Sequence, residues 1–155
     1  MCCFTQKPNG SKIRRRFFSE VNQVDKKIHK ALVVDDTQEV LDFITTTLNE
    51  LELFKLIITA NDGLEAFRKI SNQEFDLVVL DINMPKMDGV QFLTNYKKKD
   101  PKIFNKVIII SGEIDHDFIE KLNKMGLMHV LKKPFEFEDL YQHVIEILSQ
   151  YKKIN

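Results

Sequence analysis

No stretch of this sequence approaches the ~18 uninterrupted apolar residues that a membrane-spanning helix needs, so no segment reads as a bilayer span. The opening MCCFTQKPNG has no charged start followed by an apolar core, so it does not read as a secretory signal, and the expected compartment is the cytoplasm. Cysteine is confined to Cys2 and Cys3. Adjacent cysteines are badly placed for an ordinary structural disulfide, and two alone cannot build a zinc site. No glycine-rich phosphate loop, Ser–His pairing or histidine-rich metal cluster is visible in the order of residues, and no internal repeat or low-complexity tract occurs. These absences argue against the common hydrolytic chemistries.

What is present is enough for one domain. A chain of 155 residues with 43% hydrophobic and 30% charged residues lies in the globular range. The formal net charge of zero hides an asymmetry: residues 1–30 carry eight Lys or Arg against Glu20 and Asp25, so +6 is balanced by −6 over the rest. The expected organisation is a basic N-terminal extension, residues 1–28, followed by a domain over 29–155. The extension reads as a solvated tail. A membrane tether is the alternative, with Cys2-Cys3 acylated and Arg14–Arg16 and Phe17-Phe18 on an anionic surface.

From Lys30 the pattern alternates. Ala31–Val34, Leu56–Thr59, Leu77–Leu80, Val107–Ile110 and His129–Lys132 read as strands. Helices are expected over Val40–Leu48, over a stripe of Leu64, Phe67 and Ile70, and over 89–98, 115–125 and 137–151. Asp100-Pro101 should close the third helix and Gly126 the fourth. Five strands alternating with five helices predict an α/β doubly wound parallel sheet with helices on both faces. In such sheets function gathers at the carboxyl ends of strands. There stand Asp35 and Asp36 after the first, Asp81 after the third, Ser111 after the fourth and Lys133 after the fifth.

Clustered carboxylates repel unless a cation relieves them, and Mg²⁺ suits an all-oxygen donor set completed by phosphate. A lysine and a small hydroxyl can serve the remaining phosphoryl oxygens, and an aspartate can itself be the nucleophile. Each residue alone has a plainer use: Asp36 or Thr37 as a helix cap, Asp81 in a turn, Ser111 as a cap, Lys133 in solvent. Four strand ends each carrying the type one site requires are not explained that way.

VVDD at 33–36, LDINMPKMDG at 80–89, IIISGE at 108–113 and LKKPF at 131–135 closely resemble response regulator receiver domains of two-component phosphorelays. The resemblance covers about residues 29–151. It implies a flavodoxin-like sheet of order 2-1-3-4-5, with Asp81 as phosphoacceptor, Ser111 as the switching hydroxyl and Lys133 contacting the phosphoryl group. It also implies Mg²⁺ held by Asp36, Asp81 and the Asn83 backbone carbonyl, with Asp35 acting mainly through water on the ion, and a cis Lys133-Pro134 bond. The implied partners are a sensor histidine kinase or histidine phosphotransfer protein and a downstream protein that the sequence does not name. The expected protein is a stand-alone, phospho-accepting signalling module rather than a true enzyme, assisting its own phosphorylation and dephosphorylation. After the last helix only Lys152–Asn155 remain, so no DNA-binding domain is expected there; oligomeric state is open. One departure is Val130, three positions before the lysine, where the family often has an aromatic residue; His129 beside it reads as a partly exposed strand residue. The competing reading is a haloacid-dehalogenase-like Mg²⁺-dependent phosphatase, although that family spaces its aspartates by one residue and these are adjacent.

Overall fold

Ala31–Val34, Leu77–Leu80 and Val107–Ile110 carry apolar side chains on both faces, and every one of them is fully buried. Segments like these belong in the middle of a parallel sheet covered on both sides. In the computed structural model, which describes residues 28–150, they form the centre of β1 (His29–Val34), β3 (Leu77–Asp81) and β4 (Val107–Ser111). The edges are β2 (Phe54–Ala60) and β5 (His129–Lys132). The sheet order is β2-β1-β3-β4-β5 and every pairing is parallel, as expected.

Four α-helices connect the strands, α1 (Gln38–Glu50), α2 (Gly63–Asn72), α3 (Gly89–Lys97) and α4 (His116–Met125), and a fifth, α5 (Phe137–Gln150), follows β5. Because strand side chains alternate between faces, the core splits in two. Ala31, Val33, Leu77, Val79, Ile108 and Ile110 pack under α1 and α5, contacting residues such as Leu41, Ile44, Tyr141 and Val144. Leu32, Val34, Val78, Leu80, Val107 and Ile109 pack under the other three helices, against Ala66, Ile70, Phe92, Leu93 and Leu122. Truncating one of the leucines or isoleucines among them to alanine would cost about 2–5 kcal/mol.

Three local features differ from expectation. Leu64 is exposed rather than part of the inward stripe. Since α2 begins at Gly63, the buried positions are Gly63, Ala66 and Ile70, and Leu64 is rotated about 100° off that face. His129 is buried, not half-exposed. It and Leu131 point to the α5 side of β5, while half-buried Val130 packs on the other face. After α3, Pro101–Asn105 forms an unforeseen 3₁₀ turn, capped by the Asp100 side chain accepting from the Lys102 N–H at 2.9 Å. Gly126 closes α4 with φ 89°, the left-handed geometry that favours glycine.

No helix among the described residues is long and apolar enough to cross a membrane. The expected extension apart from Ile28, with Cys2, Cys3 and Arg14–Arg16, lies outside the described residues, and so does the chain beyond Gln150.

Candidate functional site

Parallel pairing aligns the carboxyl ends of the inner strands, so residues far apart in sequence meet on one rim. The Asp35 N–H donates to the Ala60 carbonyl at 3.1 Å, carrying the ladder one step past β1. Its side chain is fully buried. One carboxylate oxygen, Oδ1, accepts from the Thr37 N–H at 2.8 Å, and Oδ2 accepts from Lys133 Nζ at 2.6 Å. Asp81, the last residue of β3, is 3% exposed. Its Oδ1 accepts from the Asn83 N–H at 3.2 Å, and its Oδ2 stands 3.3 Å from Lys133 Nζ. The Lys133 backbone N–H donates to the Ser111 carbonyl at 2.8 Å, which extends the β4–β5 ladder and fixes the lysine at the rim. The Lys133-Pro134 bond is cis.

Asp36 stands apart in environment but not in place. It is exposed, yet carboxylate oxygens of Asp35, Asp36 and Asp81 all lie within 4.8 Å of one another. Thr37, not Asp36, occupies the N-cap position of α1 and makes no side-chain cap bond. The capping explanation for Asp36 therefore fails. Ser111 ends β4 with its hydroxyl buried and donating to the Glu113 carbonyl at 2.7 Å. Asn83 and Glu113 are exposed beside these groups. Gly89 opens α3 where an added Cβ would lie 2.7 Å from the Asp81 carbonyl oxygen, so the absence of a side chain lets the helix start this close to β3.

Charge makes the arrangement unbalanced. Burial, and next the negative field of Asp35, push the Asp81 carboxyl above its ordinary value, outweighing the opposing pull of Lys133. Burial alone would pull the Lys133 ammonium down; the hydrogen bond and charge of Asp35, then Asp81, reverse this and leave it raised. Three carboxylates against one ammonium leave two negative charges in excess. That all-oxygen donor set fits one hard divalent cation such as Mg²⁺, which uses one or two carboxylates and keeps several waters.

The structure thus brings together Asp35, Asp36, Asp81 and Lys133, and places Ser111 at the adjoining end of β4 and Asn83 on the loop after β3. Sequence reasoning offered Thr37 only as a cap and missed its N–H on Asp35, because a backbone N–H that orients a carboxylate has no side-chain signature. The same is true of the Glu113 carbonyl that holds the Ser111 hydroxyl.

Residues 31–145 match the model of the response regulator receiver domain. A probable C4-dicarboxylate response regulator, DctR, of Bacillus subtilis is 34% identical over 132 residues, 83% of this chain but 55% of its own length. The chain therefore spans about half of that relative. A probable chemotaxis protein CheY of Rhizobium etli is 32% identical over 123 residues, 79% of this chain and 95% of the relative. Among solved structures, the CheX-CheY-BeF3-Mg²⁺ complex from Borrelia burgdorferi matches with a TM-score of 0.73 and 29% identity, over 83% of this chain and 97% of that one.

Proposed function

This chain belongs to the response regulator receiver family of phosphorelay signalling domains, and on that premise we propose that Asp81 accepts a phosphoryl group from a sensor histidine kinase or histidine phosphotransfer protein in the cytoplasm. The single observation that carries the assignment is Lys133 Nζ bridging Asp35 and Asp81 at the carboxyl ends of β1 and β3. Asp36, Asp81 and the Asn83 backbone carbonyl would hold Mg²⁺, with Asp35 acting through water. When bound, the ion offsets the excess carboxylate charge and the charge on the phosphoryl oxygens.

An Asp81 carboxylate oxygen forms the new bond to phosphorus as the bond to the donor nitrogen breaks. Lys133 keeps its contact with Asp35 and turns its remaining N–H groups to the phosphoryl oxygens. Ser111 exchanges the Glu113 carbonyl for a phosphoryl oxygen, which frees the segment between β4 and α4. Val130 has no ring to swing, so the output surface of α4, β5 and α5 changes through backbone shifts at this segment. A downstream protein reads that surface. The domain assists its own phosphorylation and dephosphorylation and does not turn over an external substrate.

The phosphatase reading has less support. Asp35 and Asp36 are adjacent, one buried and tied to Lys133, the other exposed, so they do not act as the two sides of one nucleophile–acid pair. Labelled acetyl phosphate with Mg²⁺ should give one phosphoryl group per chain, cleavable by hydroxylamine, and Asp81→Ala should take up none. Label that resists alkali and hydroxylamine, label persisting in Asp81→Ala, or sustained turnover of p-nitrophenyl phosphate would reject the proposal.

A further inference from the structure

Away from the rim, at the opposite end of β5, three potential ligands meet across the strand–helix interface. His129 begins β5, while His143 and Glu146 lie three residues apart on α5 and so share one face. The two histidine Nδ1 atoms are 3.0 Å apart, with ring planes at 86°. His129 Nδ1 is 3.9 Å from Glu146 Oε2, and ligand atoms of all three residues lie within 4.8 Å of one another. Two imidazole nitrogens on a tetrahedral ion with bonds of about 2.0–2.1 Å would be separated by roughly 3.3 Å, close to the spacing found. We propose that His129, His143 and Glu146 form a second metal site, for a borderline divalent transition ion such as Zn²⁺.

Burial holds both imidazoles below their ordinary pKa, His143 also through the neighbouring His129, so neutral nitrogen lone pairs are available at neutral pH. The donor set differs in kind from the acidic rim, since imidazole nitrogen suits Zn²⁺ and an all-oxygen set suits Mg²⁺. His129 is buried, whereas the Glu146 side chain is 67% exposed, so the fourth position opens to solvent and takes water. A bound ion would tie β5 to α5, two elements of the proposed output surface. Zn²⁺ then becomes an input that acts on this surface independently of Asp81. The H-x₁₃-H-x₂-E spacing spans a strand, a loop and a helix turn, which is why the order of residues does not reveal it.

The test is calorimetric titration of Zn²⁺ into the full chain with Mg²⁺ in excess. One equivalent should bind, and His143→Ala should abolish it. Loss of even an outer-shell partner commonly weakens a metal site about 10–100-fold, so Glu146→Gln, at an exposed position that cannot unfold the chain, should weaken binding by about tenfold or more. Replacing Cys2 and Cys3 with serine, or His116 in the exposed His116–Asp117–Glu120 group with alanine, should leave binding unchanged. The proposal is overturned by no uptake in the unaltered chain, by wild-type uptake in both His143→Ala and Glu146→Gln, or by loss of uptake in the cysteine or His116 variants.

Discussion

Lys133 Nζ lies 2.6 Å from Asp35 Oδ2, nearer than its 3.3 Å approach to Asp81 Oδ2. The ammonium is thus anchored on the fully buried carboxylate and only shared with the proposed phosphoacceptor. Removing it should leave Asp35 as a buried charge without its cationic partner, a change that costs about 3–5 kcal/mol in a dry interior. The lysine side chain is one-fifth exposed, so about 2–4 kcal/mol is the expected loss for Lys133→Ala in metal-free buffer. Mg²⁺ should recover much of this loss and should bind the variant more tightly, because the competing ammonium is gone. Denaturant unfolding with EDTA and with Mg²⁺ would measure both effects; equal stability of variant and parent without metal would contradict the anchoring role.

Asp81 gives an effect of opposite sign. Its folded carboxyl is raised, by burial first and by Asp35 next, so ionisation favours the unfolded chain. Stability is full below the unfolded carboxylate value, near about pH 4, and is lost as pH rises through the raised folded value. Asp81→Asn should therefore be more stable than the parent at pH 7 without Mg²⁺, with the gap closing as pH falls toward 4. Mg²⁺ should stabilise the parent and have little effect on the variant. Thermal melts across that pH range decide the matter, and a variant less stable than the parent at pH 7 would contradict the unbalanced-charge account.

The rim was legible in the sequence because Asp35, Asp81 and Ser111 each directly follow an apolar run, and Lys133 directly follows the short edge strand β5. A run buried on both faces marks a central strand, and the residue after it must lie at the strand's carboxyl end. Asp35, Asp81, Ser111 and Lys133 needed no long-range information beyond the parallel topology. The 98-residue connection between Lys133 and Asp35 is a matter of distance and rotamer, which the order of residues does not encode. His129 was misjudged because a polar residue in a short edge strand normally faces water, and only the partner at 143 explains its burial. Leu64 was misjudged for a related reason: hydrophobic spacing marks a helix but does not fix its rotation when a glycine takes the closest contact.

Gly89 and Gly112 offer a matched pair of backbone probes. An alanine Cβ at position 89 would meet the Asp81 carbonyl oxygen at 2.7 Å and Ile82 Cα at 3.0 Å, both backbone atoms that cannot swing away. At position 112 nothing lies within 4 Å. Gly89→Ala should cost about 1–3 kcal/mol through overpacking and should slow phosphoryl uptake by displacing Asp81. Gly112→Ala should leave stability within about 0.5 kcal/mol. Chevron unfolding and initial labelling rates would compare the two; equal behaviour would show that α3 does not set the position of the nucleophile.

Asp62 links a helix cap to the loop beside the site. Its Oδ1 accepts from the Glu65 N–H at 2.8 Å, capping α2, and its Oδ2 accepts from Lys86 Nζ at 2.6 Å. Lys86 lies five residues after Asp81 with φ 69°, an uncommon conformation for lysine that the ion pair helps to hold. The Lys86 hydrogen bond first, and the Glu65 N–H second, keep the Asp62 carboxyl below its ordinary value. A lowered folded value means that the stabilisation is present above about pH 4 and is lost as pH falls through that lowered value. Asp62→Ala should cost about 1 kcal/mol at pH 7, mostly through the cap, because the exposed ion pair adds little. Lys86→Ala should cost less than Asp62→Ala. Urea unfolding at pH 7 and near pH 3 should show the Asp62→Ala deficit shrinking at the lower pH, and a deficit of constant size would mean that the cap does not depend on the ionised carboxylate.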